Sequence, residues 1–176
     1  MKLFISTLLV TMTLFASCQT KTLKRDAADG QKSSTYEKII KTDDEWANDL
    51  SKEEFYVLRK QGTERAFTGD LWDSKTDGVY TCRGCALPLF DSKTKFKSGT
   101  GWPSYYEPIK AENIELDIDN KLGYTRKEVH CARCDGHLGH VFDDGPDPTG
   151  LRYCINSASL DVIKREDVKK NEDKQP

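Results

Sequence analysis

The sequence predicts a mainly β domain with short helices at its start and two cysteine knuckles, and three observations carry that reading. Short alternating or apolar runs recur from Val79 onward, each bounded by Gly, Pro, Asp or Asn. Helix signals are confined to two capping boxes near the start of the domain. Two Cys-x-x-Cys pairs, Cys82 with Cys85 and Cys131 with Cys134, stand close to such runs.

At the start of the chain, Lys2 precedes an apolar run from Leu3 to Ala16, too short to span a bilayer comfortably, and the small residues Ala16 and Ser17 stand directly before Cys18. Residues 1–17 therefore read as a signal peptide. The Phe-Ala-Ser-Cys ending resembles a bacterial lipoprotein processing site, with Phe15 where Leu is more usual; cleavage there would make Cys18 an acylated amino terminus. An ordinary secretory signal is the alternative. Several acyl chains on one cysteine anchor a soluble domain stably. The expectation is an exported bacterial protein, on the periplasmic or outer-surface side, tied to the membrane through a lipid anchor at Cys18. Residues 18–35 are polar, rich in Lys, Ser and Thr, and read as a flexible tether.

Two helices are expected to begin at Thr42-Asp-Asp-Glu45 and Ser51-Lys-Glu-Glu54, each with a hydroxyl at N-cap and a glutamate at N3. The second should end before Gly62, with Phe55 and Leu58 on its inner face, and the pair should brace the sheet. Asp70 to Asp77 is loop-like, and Asp77-Gly78 turns into a short strand, Val79 to Thr81, that delivers the first knuckle. Leu87 to Phe90 continues beyond it, with Pro88 marking an edge or bulge. Ile114 to Ile118 alternates, and Tyr124 to Val129 answers it as a hairpin. His140-Val-Phe142 and the stretch from Gly150 supply further strands, and no internal repeat is present. The domain is placed at residues 36–163, which leaves roughly 130 residues for one core of ordinary size. Residues 164–176 form a charged tail expected to fray.

Each Cys-x-x-Cys pair places two sulfurs one knuckle apart, with Gly84 and Gly136 available for positive φ where backbone amides turn toward the sulfurs. Brought together across about 45 residues, the pairs make a closed tetrahedron of four thiolates that suits one structural zinc ion and leaves no position for a water. Two disulfides are one alternative, natural for an exported chain; a mixed cysteine and histidine site using His137 and His140 is another.

With a period of two, Gly150 to Leu160 puts Arg152, Cys154 and Asn156 on one face and Leu151, Tyr153 and Ile155 on the other. A cation and an amide on the same face as Cys154 favour a thiolate and a nucleophilic role, although a single cysteine taken alone is more often an inert core residue; the neighbouring histidine motif shifts the balance. His137 and His140, nearby in sequence, can supply the general acid that a thiol reaction on an oxidised substrate requires. Arg152 either lowers the Cys154 pKa or pairs with Asp143 or Asp144.

Three motifs, GTGWPSYYEP from Gly99 to Pro108, DGHLGHVFDDGP from Asp135 to Pro146 and LRYCINSASL from Leu151 to Leu160, together with both cysteine pairs, resemble the B-type methionine sulfoxide reductases. The resemblance runs from Tyr36 to Ile163. It implies two facing antiparallel sheets and reduction of the R epimer of methionine sulfoxide, mainly as oxidised methionine in proteins. It also implies that Cys154 attacks the sulfoxide sulfur and becomes a sulfenic acid, while His140, assisted by His137, protonates the departing oxygen. Trp102 would wall the substrate methyl group, Arg152 would line the same site, and Asn156 would orient the substrate or its water.

Many members of that family carry a second, resolving cysteine just before GWPS, where this chain has Thr100. Of 6 cysteines, four are assigned to metal, one is the nucleophile and Cys18 sits at the end of the tether. An external thiol, a thioredoxin-like protein, is therefore the expected reductant of Cys154. Two other functions compete: a non-enzymatic zinc module with a protein-binding patch around Trp102, and a thiol oxidoreductase that uses one cysteine pair for disulfide exchange. With Lys+Arg 27 against Asp+Glu 29, nothing points to nucleic acid or to an electrostatically bound membrane surface.

Overall fold

A computed structural model of the chain describes residues 36–172. The expected signal peptide, the tether and Cys18 lie outside them.

Both capping boxes form. Thr42 caps α1 (Asp43–Asp49) and Ser51 caps α2 (Lys52–Lys60); each hydroxyl accepts from the N3 backbone N–H, and Glu45 or Glu54 accepts in return from the cap residue's own N–H. α2 ends on Arg59 and Lys60, with Gln61 in the left-handed conformation just before Gly62. Its buried face carries Val57 and Leu58, whereas Phe55 is only half-buried.

The helices brace the cysteine knuckles. A Cβ on Gly84 would sit 3.5 Å from the Trp46 ring of α1, and one on Gly136 would come within 2.9 Å of Leu58. Of the two glycines only Gly136 is tightly approached, by the end of the Leu58 side chain, while a side chain at Gly84 would make ordinary contacts; neither has a positive φ, and the expectation of positive φ there is corrected. The left-handed residues are Ala86 (φ 59°) and Asp135 (φ 58°), each directly after the second cysteine of its pair.

Among the described residues nine strands follow: β1 (Gly78–Cys82), β2 (Pro88–Asp91), β3 (Lys95–Phe96), β4 (Ser104–Tyr105), β5 (Ile114–Asp119), β6 (Arg126–Cys131), β7 (His137–Phe142), β8 (Arg152–Ile155) and β9 (Leu160–Lys164). They make a three-stranded sheet ordered β2-β1-β9 and a six-stranded sheet ordered β3-β4-β8-β7-β6-β5, all antiparallel. The expected hairpin pairs without interruption from Ile114 with Cys131 to Asp119 with Arg126. Pro88 stands opposite an irregularity in β1, as its missing N–H demands.

Apolar side chains of the two sheets form one core. Tyr80, Leu89 and Phe90 of the smaller sheet and Tyr105, Val129, Leu138, Tyr153 and Ile155 of the larger are all buried. Phe90 stacks on Tyr105 at 4.4 Å between centroids and meets Tyr153 at 5.7 Å. Three strands cannot cover six, and the apolar side chains Leu116 and Ile118 on the edge strand β5 stay exposed.

The expectation of a frayed tail is corrected over its described part. Leu160 to Lys164 pairs with β1 at five positions, and a helix, α3 (Arg165–Glu172), follows. Arg165 fixes the junction through Asp77 at 3.2 Å and Asp91 at 2.6 Å.

Candidate active site and metal centre

Sheet register assembles the site. Glu128 of β6, His140 of β7, Cys154 of β8 and Ser104 of β4 are successive cross-strand partners, so their side chains share the face of the large sheet opposite the core. His137, three residues before His140, would point the other way in a regular strand. A bulge corrects this: Val129 pairs with Gly139 but His130 with His137, which makes Leu138 an extra residue. Leu138 turns into the core, and the His137 and His140 rings come to 5.5 Å between centroids.

Each histidine is held by a buried carboxylate that the sequence did not advertise. His140 Nε2 lies 2.9 Å from Asp119 Oδ2. The Lys121 backbone N–H, His140 and Arg126 hold the Asp119 carboxyl far below its usual range, so it can only accept. The proton therefore sits on His140 Nε2, and Nδ1 presents a lone pair. His137 Nδ1 is hydrogen-bonded to Glu128 Oε1, and His130 Nε2 is 3.3 Å from the same oxygen. Burial pushes His137 down to about 4 in spite of Glu128, and pushes His140 down as well. Both imidazoles are neutral at neutral pH. Glu128, His130 and His137 are close enough together to hold a metal ion, but the direct hydrogen bond from His137 to Glu128 already accounts for that grouping.

Cys154 is half-buried, with Thr100 Oγ1 3.9 Å from its sulfur. Arg152 lies on the same strand face, but its guanidinium is bidentate to Asp144, at 2.8 and 2.9 Å, and lies over the Phe142 ring at 4.4 Å. Burial pushes the Cys154 thiol up; the Thr100 hydroxyl and the Arg152 charge pull it down and do not win. The resting group is a thiol, which corrects the thiolate expected from the strand face alone. Of the two partners weighed for Arg152, the structure selects Asp144, while Asp143 meets Lys127 at 3.5 Å.

Glu64 was missed in the sequence and ties the remaining residues together. Its carboxylate accepts from Ser157 N (2.6 Å) and Ala158 N (2.8 Å), just beyond β8. Its carbonyl accepts from Trp102 Nε1 at 3.2 Å, and its N–H donates to Asn156 Oδ1 at 3.2 Å. Asn156 also donates from Nδ2 to Leu138 O at 3.0 Å. Both polar atoms of that amide are thus engaged with backbone, and Asn156 fastens the end of β8 to the bulge beside the histidines.

The four expected metal ligands meet. Cys82 Sγ is 3.6 Å from Cys134 Sγ, and Cys85 Sγ is 3.5 Å from Cys131 Sγ. Disulfide sulfurs stand about 2.05 Å apart, whereas four thiolates about 2.3 Å from a tetrahedral ion stand about 3.8 Å apart. The sulfurs therefore fit a metal ion, with each close contact joining one pair to the other, and neither pair is set apart for disulfide exchange. Four thiolates on a divalent ion carry a net double negative charge. Arg59 donates to Cys134 O at 2.9 Å and Arg133 to Cys85 O at 3.3 Å, placing cations beside it.

Fold and site together define a two-sheet domain that carries one thiol beside paired histidines and a separate four-cysteine centre. Residues 50–164 match the SelR domain. The chain is 59% identical over 124 residues to peptide methionine sulfoxide reductase B1, chloroplastic, of Oryza sativa subsp. japonica, covering 70% of this chain and 58% of that protein. It is 52% identical over 136 residues to peptide methionine sulfoxide reductase MsrB of Methanosarcina mazei, covering 77% of this chain and 97% of that one. With the MsrB of Thiobacillus denitrificans the figures are 58% over 120 residues, 68% and 91%. The chain belongs to the SelR-domain family, the B-type peptide methionine sulfoxide reductases.

Proposed function

We propose that this chain reduces the R epimer of methionine sulfoxide in proteins to methionine, with Cys154 as nucleophile. The observation that carries the reading is that Cys154 is the one described cysteine outside the four-sulfur centre and is the cross-strand partner of His140. The neutral His140 takes the thiol proton on Nδ1 while Asp119 holds Nε2–H. The Cys154 sulfur attacks the sulfoxide sulfur, and the proton passes from His140 to the sulfoxide oxygen. Oxygen transfer then leaves methionine and a Cys154 sulfenic acid. A role for His137 in accepting from a water or a protonated oxygen is supported by its Nε2, which is buried and without a hydrogen-bond partner among the described residues. Trp102, with its indole N–H committed to Glu64 O, offers its ring as the wall for the methyl group. Arg152 borders the substrate through its pairing with Asp144, and Asn156 orients it indirectly through the strand end it fastens.

The sulfenic acid is resolved by an external thiol. Thr100 stands against Cys154, and a hydroxyl there cannot form a disulfide. A thioredoxin-like dithiol attacks the sulfenic sulfur, releasing water and forming a mixed disulfide, and its second thiol then frees Cys154. The four cysteines bind one structural zinc ion that stays outside the chemistry. The leader over residues 1–17, directly before Cys18, supports an exported, lipid-anchored enzyme; membrane fractionation of the parent and Cys18→Ala checks it, and an unchanged soluble distribution for both would count against an anchor.

The test uses separated R and S epimers of a methionine sulfoxide peptide with dithiothreitol as reductant. Turnover of the R epimer alone, abolished in Cys154→Ser with metal content retained, is expected. Turnover that survives the substitution would remove Cys154 from the reaction.

A further inference from the structure

A cleft of about 820 Å³ adjoins the catalytic recess without reaching Cys154. The two share Trp102 and the loop before it, and the cleft walls are aromatic: Phe67, Trp72 and Phe96 stand with Trp102 around it. Phe67 and Trp72 meet edge to face at 5.3 Å, yet Phe67 remains 55% exposed.

Phe67 also holds a left-handed backbone, φ 65°, which is strained for an aromatic residue. Two features hold it there. Its N–H donates to Gly101 O at 2.9 Å, and Gly101 lacks a Cβ that would lie 2.8 Å from the Phe67 ring. The strain thus sets a water-exposed ring against the residue that follows Thr100, whose hydroxyl faces Cys154. The backbone that carries Trp72 is fixed as well: Lys95 Nζ donates to Trp72 O at 3.2 Å and Ser74 O at 2.8 Å. The lining carries Lys75, Lys95 and Lys97 against Asp73, an excess of positive charge.

We propose that this cleft is a subsite for the polypeptide that flanks the oxidised methionine, taking an apolar or aromatic side chain of the substrate against Phe67 and Trp72 and favouring acidic neighbours at the lysine rim. The inference rests on the reductase reading, in which Trp102 walls the methyl group; a peptide leaving the recess past Trp102 meets the cleft that Trp102 also lines. A rigid, exposed aromatic surface continuous with a reaction site binds chain at little ordering cost. The ligand class is therefore an extended, unfolded segment with apolar and acidic residues near the sulfoxide.

The experiment compares kcat/KM for a peptide carrying the R sulfoxide between apolar and acidic residues with kcat/KM for N-acetyl-methionine-R-sulfoxide methylamide, which has no flanking residues. The parent protein is expected to favour the peptide by about tenfold or more, the scale of one well-filled apolar pocket. Trp72→Ala and Phe67→Ala should each remove most of that preference through KM for the peptide. Trp72→Ala is the decisive variant, because Phe67 also touches Gly101. Equal kcat/KM for peptide and methylamide in the parent, or equal loss on both substrates in Trp72→Ala, overturns the subsite while leaving the reductase reading in place. Absence of turnover on either substrate overturns the reductase reading and the subsite with it.

Discussion

Asp119 closes an alternating strand and opens a turn, a position at which a sequence offers no reason to suspect chemistry. Its worth comes from register, which puts it within 2.9 Å of His140 while Arg126 and the Lys121 N–H keep it ionised. Asparagine is nearly isosteric but can donate as well as accept, so it no longer obliges His140 Nε2 to carry the proton. Asp119→Asn is expected to lower kcat about a hundredfold, in the range of lost general acid–base help, with the fold intact. Steady-state kinetics and circular dichroism check this; near-parental kcat would mean that the tautomer of His140 is irrelevant. Cys154 gives a pH prediction. Its thiol is raised in the fold by burial, so the protonated form is favoured and its contribution to stability is lost as pH rises through the folded value. Labelling of native Cys154 by iodoacetamide should be slow at neutral pH and climb at pH values above the ~8.5 of a free cysteine. Arg152→Met should move that climb further up, because a cation that favours the thiolate is gone. Mass spectrometry of the labelled peptide measures both, and fast labelling of Cys154 at neutral pH would contradict the buried-thiol assignment.

The helices and the hairpin were legible because their signals are local. A hydroxyl three residues before a glutamate fixes a helix start, and two alternating runs across a polar turn fix a hairpin. Thr42→Ala and Ser51→Ala should each cost about 1 kcal/mol in urea unfolding, the usual worth of a cap. Activity should be unaffected in both, since neither helix lends a side chain to Cys154. The bulge at Leu138 was not legible. Nothing in Gly-His-Leu-Gly-His announces an extra residue, yet it alone turns His137 to the side of His140. The two-residue strands β3 and β4 were unreadable because so short a run has no period, and β9 because its pairing with β1 lies about eighty residues back along the chain. Glu64 was out of reach for a similar reason: its carboxylate caps Ser157 and Ala158, 93 and 94 residues away. The ten residues named from the sequence as catalytic, substrate-binding or metal-ligating fall into two clusters, whereas the partners that orient the histidines came only from the sheet.

The two sheets and the four-cysteine centre divide the work of the molecule. The aromatic core packs on one face of the large sheet while register sets one row of reactive side chains on the other, and the knuckles join the ends of β1 and β6, which belong to different sheets. Zinc bound to four thiolates contributes on the order of 10 kcal/mol in small domains, comparable to the whole stability of a typical one. Elemental analysis should find one zinc per chain. Stripping it with a mercurial and a chelator should abolish cooperative thermal unfolding, whereas a metal-free protein with an unchanged melting transition would show that the knuckles do not need the ion. The central claim is that Cys154 alone carries the oxygen away and waits for an outside thiol. A single turnover without reductant tests it most directly: the protein is mixed with R-sulfoxide peptide, quenched with dimedone and mapped by mass spectrometry. One methionine formed per chain, with dimedone on Cys154 and no disulfide between Cys154 and another cysteine of the chain, is the predicted result. A disulfide from Cys154 to any of the other cysteines, or methionine formed with Cys154 unmodified, would contradict it.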